Sequence, residues 1–155
     1  MTRINTCIPK ALTDQHLLGE YNEIRRPVKL AINKYNKIGN RIHEIVPNTY
    51  RLGAGHVLFF YNKLKYLHDR FEAIKEEMVF RGFNPKGTFD ISDIPQCLYK
   101  DWSPTITDNQ ILLIRLLEKI ETSNITWRYN KKAIDLSEYR NTLTQAQPWP
   151  SETII

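Results

Sequence analysis

Three stretches of this chain place apolar residues at helical spacing, and none alternates convincingly enough to read as a strand. That pattern restricts the fold to helix packed on helix. The first stretch runs from Thr13, a favoured N-cap type, to about Ile38, with Leu17, Tyr21, Ile24, Val28, Ala31 and Tyr35 on one stripe. Gly39 follows where a left-handed C-cap residue belongs. Pro27 lies inside this helix, removes one backbone hydrogen bond and predicts a bent axis. The second stretch carries Val57, Phe60, Leu64, Leu67, Phe71, Ile74 and Met78 and is stopped by Gly82. The third runs from about Asp108 to Glu121. Its broad apolar face (Leu113, Ile114, Leu116, Leu117, Ile120) predicts a helix packed between other elements.

The expected architecture is therefore all-α: a single compact domain of three main helices with long connecting loops at 40–55 and 83–107, occupying residues 1–135. From 136 to 155 the chain turns polar and passes through Pro148-Trp149-Pro150, which reads as an extended or disordered tail.

With 155 residues the chain is long enough for one real core, and 41% apolar with 25% charged residues is ordinary for a folded soluble protein. The net charge of +5 fits a polyanionic partner, and also many proteins that bind nothing acidic. No apolar run approaches the ~18 residues of a membrane span. The amino terminus shows no basic-then-apolar leader, so a cytoplasmic location without a membrane partner is expected. Cys7 and Cys97 are the only cysteines and form no paired ligand spacing, so two reduced thiols are expected, with no metal and no cofactor.

Several residues can support chemistry. His16, Glu20 and Glu23 fall on one side of the first helix, with Arg26 slightly further round. They read either as an acid–base group beside a groove or as a solvated face with a Glu23–Arg26 pair. Arg115 and Lys119, four apart on the third helix, read equally as a phosphate-backbone contact or as an ordinary exposed face. Gly53 and Gly55 before His56 read more simply as a turn into a helix than as a phosphate loop, whose spacing they lack. His56 itself reads as a capping, buried or functional histidine. Methionine before a small residue is normally removed, so the mature chain is expected to start at Thr2. A terminal amine has a pKa of ~7.7–8.0, so roughly a third of it is neutral near pH 7.5, against about a thousandth of an ordinary lysine. Such an amine is a ready Schiff-base nucleophile, if the fold brings it to a site.

A family resemblance selects among these readings. Met1-Thr2-Arg3-Ile4-Asn5, Asp14-Gln15-His16-Leu17 followed by Glu20-Tyr21 and Glu23, and Leu52-Gly53-Ala54-Gly55-His56-Val57 are similar to segments of the phage-type pyrimidine-dimer DNA glycosylases. Phe59-Phe60-Tyr61, Lys63-Leu64, Arg81-Gly82-Phe83-Asn84, Asp90-Ile91-Ser92-Asp93-Ile94-Pro95-Gln96, Glu118-Lys119-Ile120, Thr126-Trp127 and Lys132-Ala133-Ile134 continue in order, so that the resemblance covers roughly residues 1–134. It implies a glycosylase with a coupled abasic-site lyase, working on double-stranded damaged DNA as a monomer. Thr2 would be the nucleophile through its α-amine, and Glu23 the group that stabilises the sugar cation and serves the proton transfers. Arg3 and Arg26 would grip phosphates beside the lesion and Arg115 and Lys119 the backbone, with Gln15, His16 and Lys86 near the same surface. No metal or organic cofactor is implied.

The chain departs from the family pattern at Asn22, where arginine is usual, and at Pro27, shifted along the helix by Arg25-Arg26. Arg25 offers a replacement charge projecting in a different direction. The aromatic stretch after the family's tryptophan is thinned to Trp127-Arg128-Tyr129-Asn130-Lys131. Two other readings stay open: the same chemistry on an oxidised or ring-opened base, and a helical DNA-binding protein without catalysis.

Overall fold

A computed structural model describes residues 3–150. Thr13 opens the first helix as its position predicts: its hydroxyl oxygen accepts the His16 backbone N–H at 3.1 Å, and α1 runs Asp14–Glu23. The continuous, bent helix expected as far as Ile38 does not form. Ile24 N–H still donates to the Glu20 carbonyl at 2.8 Å, and then a second helix, α2 (Arg26–Ile38), starts with Val28 N–H on the Arg25 carbonyl. Pro27 is the second residue of α2. It has no N–H for the carbonyl four residues back and its ring crowds that position, so the chain restarts with proline in a first turn, where no donor is needed. Glu23 is thereby left as the last residue of α1, at the break. Gly39 closes α2, at φ 61°.

A short helix, α3 (Ile42–Ile45), and a loop lead to α4 (His56–Phe59). The second periodic stretch is also divided, because α4 ends before α5 (Leu64–Phe80) begins. Lys63 makes the division: its ammonium donates to the Phe59 carbonyl at 2.9 Å and sits 3.9 Å from the Phe59 ring centroid, capping α4. Gly82, at φ 86°, stops α5: its N–H donates to the Val79 carbonyl and that of Phe83 to the Met78 carbonyl, a Schellman closure that only a left-handed residue allows cheaply.

The third long helix, α6 (Ile106–Thr122), starts at a capping box in which Thr105 and Asp108 each accept the other's backbone N–H at 3.0 Å. It packs against a later helix, α7 (Leu136–Thr144), and the core, as its breadth predicts, but its apolar face is only partly covered. Leu112, Leu113, Leu116 and Ile120 are buried, whereas Ile106 and Ile114 stay 70% and 64% exposed. Beyond α6 the chain forms a tiny antiparallel hairpin, β1 (Arg128–Tyr129) with β2 (Lys132–Ala133), which the strand reading did not anticipate. Its turn residues Asn130 and Lys131 both have positive φ, and both donate backbone N–H groups to the Asp14 carboxylate, at 3.0 and 2.7 Å.

The segment expected to be extended or disordered from 136 instead folds as α7 (Leu136–Thr144), capped by Asp135 and packed on α6 through buried Tyr139 and Leu143. Residues 147–149 then run beside the amino-terminal segment: Ile8 N–H donates to the Gln147 carbonyl at 3.0 Å and Trp149 N–H to the Thr6 carbonyl at 2.7 Å. Two buried apolar residues per short helix are too thin a pattern to stand out in a polar stretch.

The chain is all-α in class, a single compact domain. α5 is its central element, burying Leu64, Tyr66, Leu67, Phe71, Ile74 and Met78 against α1 and the amino-terminal segment. Each such side chain contributes about 1.5–3 kcal/mol of transfer free energy. Among the described residues no helix is long and apolar enough to cross a membrane.

Candidate active site

Residues 6–8 of the amino-terminal segment pair with 147–149, but residues 4 and 5 are suspended from side chains. Ile4 N–H donates to His56 Nε2 at 2.8 Å, and Asn5 gives its backbone N–H and its amide Nδ2 to the two Glu20 oxygens, at 3.1 and 2.7 Å. Tyr66 OH donates to the Asn5 carbonyl at 3.1 Å, and Thr6 Oγ1 to Asn109 Oδ1 at 3.0 Å. These anchors come from α4, α1, α5 and α6, so the path of residues 4–6 is a product of the whole domain. Thr2 itself lies outside the described residues; Arg3, its neighbour in the chain, lines the cleft described next.

That cleft, about 310 Å³, lies between α1, α6 and the amino-terminal segment. Arg3, Gln15, His16 and Glu23 line it, together with Arg115 and Lys119 from α6. Asn5, Gly19 and Glu20 complete the lining. Seven of the residues singled out in the sequence, Glu20 included, therefore meet in one place. The two acids of α1, indistinguishable by helical spacing, take separate roles. Glu20 is fully buried and paired with Arg70, whose Nε and Nη2 lie 2.5 and 2.9 Å from its oxygens. It is a structural anchor for Asn5. Glu23 is half-buried at the helix break and faces the same cleft as three cations, Arg3, Arg115 and Lys119.

Crowded positive charge shows in the titrating groups. Burial, then the neighbouring Arg115, lowers the Arg3 guanidinium, with Tyr50 acting the other way. His16 is brought down to about 4 by burial first, and then by Arg3 and Lys119. Its imidazole leans on Trp127, ring centroids 4.5 Å apart. An NMR titration is expected to show His16 neutral through the physiological range, with its midpoint well below the ordinary ~6.5. Because the folded value is depressed, stability is complete above pH ~6.5 and is lost as pH falls from there towards 4. A midpoint near 6.5 would show that the ring is not enclosed among these cations.

Gln15 is largely occupied in holding the chain: its amide donates to the Thr126 carbonyl at 2.7 Å and accepts the Arg128 N–H at 3.0 Å. That clamp fixes Trp127 against His16. Arg25, Arg26 and Lys86 are not among the lining residues of this cleft. Arg25 lies over Tyr21 and Phe71, at 5.5 and 5.4 Å, and donates to the Thr88 carbonyl at 3.3 Å. It borders a second, larger cleft of about 440 Å³, with Lys29, Phe89 and Asp93. Arg26 is exposed at the start of α2, its charge acting on the Tyr61 phenol, and Lys86 is exposed on the loop beside Gly87. The larger cleft carries Arg25 and Lys29 with Asp90 and Asp93, whereas the smaller one gathers Arg3, Glu23, Arg115 and Lys119 beside the amino-terminal segment.

Arg70, Asn5 and the clamp at His56 were not foreseen as parts of the site. Arg70 did leave a signal: it occupies a core position beside Leu67, Phe71 and Ile74, and a buried arginine requires a buried acid. Among the described residues no group of three His, Cys, Asp or Glu is arranged to hold a metal ion.

Fold and cleft together define a small helical domain in which Glu23 shares a groove with Arg3, Arg115 and Lys119. Residues 1–91 match the family model for pyrimidine dimer DNA glycosylase, and the chain belongs to that family. It is a DNA glycosylase by family, with DNA as its substrate.

Proposed function

We propose that the chain couples glycosylase and abasic-site lyase activities on UV-induced cyclobutane pyrimidine dimers in double-stranded DNA, through the α-amine of Thr2. The observation that supports this best is the meeting of Arg3, Glu23, Arg115 and Lys119 in one cleft of a chain from this family. The neutral amine attacks C1′ of the lesion's 5′ deoxyribose, and the glycosidic bonding pair leaves with the base. The nitrogen sheds a proton and the sugar ring opens to an iminium. Loss of a 2′ proton, made acidic by the iminium, then expels the 3′ phosphate with its bonding pair and nicks the strand. Water releases the sugar and regenerates the amine. These steps need no metal or organic cofactor.

Glu23 stabilises the positive charge that develops on the sugar and carries protons in the elimination. Arg3, Arg115 and Lys119 hold phosphates on either side, with Gln15 and His16 shaping the wall. Arg25, Arg26 and Lys86 contribute charge along the flanking backbone, which makes binding to undamaged DNA strongly salt-dependent. The working unit is a monomer in the cytoplasm, because the duplex occupies the charged face.

Duplexes carrying a cyclobutane dimer, an oxidised base or a plain abasic site test this. Borohydride-trapped adducts and nicks are expected on the dimer and abasic duplexes. Adducts on the oxidised and abasic duplexes alone would transfer the chemistry to another lesion, and binding without any adduct would leave a non-catalytic DNA-binding protein. Glu23→Gln is expected to bind the dimer duplex but to turn over about 100-fold or more slowly, within the range of a positioned acid–base group. Single-turnover rates near those of the unaltered protein would remove Glu23 from this role.

A further inference from the structure

The glycines at 53 and 55 and the histidine after them have no part in the chemistry above, yet they are built with care. Gly53 and Gly55 both adopt positive φ, at 72° and 85°, and His56 N–H donates back to the Gly53 carbonyl at 3.1 Å. This turn delivers the His56 side chain, 3% exposed, into the core. There the ring lies edge-on to Tyr50 and Phe60, with centroids 5.6 and 5.5 Å away. Both ring nitrogens are committed: Nδ1 donates to the Arg51 carbonyl at 2.8 Å, and Nε2 accepts the Ile4 N–H at 2.8 Å. Only the neutral Nδ1–H tautomer satisfies both bonds. Tyr50 OH closes the other side of the same residue by donating to the Ile4 carbonyl at 3.4 Å.

Ile4 is two residues from the proposed nucleophile, and His56 is the side chain that holds its N–H. We infer that His56 is a positioning residue for the reaction, setting through Ile4 where the amino-terminal amine is presented to the sugar. The inference rests on the Thr2 reading and extends it. The family's glycine-flanked histidine is then explained by geometry: a sharp left-handed turn is needed to aim an imidazole acceptor at a backbone N–H that no strand partners. Displacement of a reacting group by about 1 Å can cost on the order of 100-fold in rate, although the residue responsible never touches substrate.

Three variants test it in the full chain, read as single-turnover borohydride trapping on an abasic duplex beside the Kd for that duplex. His56→Gln keeps an oxygen near the Nε2 position and is expected to trap within a few-fold of the unaltered protein. His56→Asn keeps a polar amide only near Nδ1, and His56→Ala keeps neither. Both are expected to trap about 10- to 100-fold more slowly with Kd changed less than threefold. Should His56→Ala fail to fold, the Gln and Asn variants decide between them. Equal trapping rates for Gln and Asn, or a loss of trapping matched by the same loss of duplex affinity, would overturn the positioning role. Absence of trapping by the unaltered protein would instead overturn the Thr2 reading.

Discussion

A chain whose amino terminus is acetylated, or retains Met1, is expected to lose borohydride trapping to background while its affinity for duplex DNA changes little. Roughly a third of a free terminal amine is neutral near pH 7.5, whereas an ordinary lysine offers about a thousandth. Blocking Thr2 therefore removes the one nucleophile that needs no special environment to be reactive. The cleft cations to which the proposal gives phosphate binding, Arg3, Arg115 and Lys119, are untouched by the block, so binding and chemistry should separate. The measurement is adduct yield on an abasic duplex beside fluorescence anisotropy on the same duplex. Trapping that survives the block would assign the imine to a side-chain amine, and Lys119, which borders the cleft, would be the first to examine.

Arg70→Ala is expected to destabilise the fold by about 3–5 kcal/mol, a large share of the roughly 5–15 kcal/mol that holds a domain together. The guanidinium is fully buried, bonded to both Glu20 oxygens and to the Cys7 carbonyl at 2.8 Å. Truncating it strands a buried carboxylate, which is worse than losing the pair's own attraction. Replacing both members, Arg70→Met with Glu20→Leu, is expected to recover only part of the loss. The Asn5 N–H and amide would still lack their acceptor, and an unsatisfied buried donor costs about 1–3 kcal/mol. Thermal unfolding decides: an Arg70→Ala melting point within a degree or two of the unaltered protein would show that the pair contributes little. Because Asn5 hangs on Glu20, the same variant should also disturb the segment that leads to Thr2.

The helices, their caps and the family are legible in the residues alone, because those signals are local. Thr13 beside an apolar stripe makes a start, and Gly39 and Gly82 make stops, whereas the capping box of Thr105 with Asp108 starts the third helix two residues before the expected Asp108. What local signals leave open, the tertiary structure decides. Pro27 divides a helix instead of bending it, since it has no N–H for the carbonyl four residues back and is accommodated in the first turn of a new helix. Helical spacing sets Glu20 and Glu23 side by side, and only the arrival of Arg70, fifty positions away, makes one of them a buried anchor and leaves the other at the cleft. The hairpin at 128–133 depends on Asp14, and α7 on the surface that α6 offers it. A single segment specifies its own turns and periodicity through bonds between near neighbours. Whether an acid is paired, a face covered or a terminus held depends on partners far along the chain, whose identity no local pattern carries.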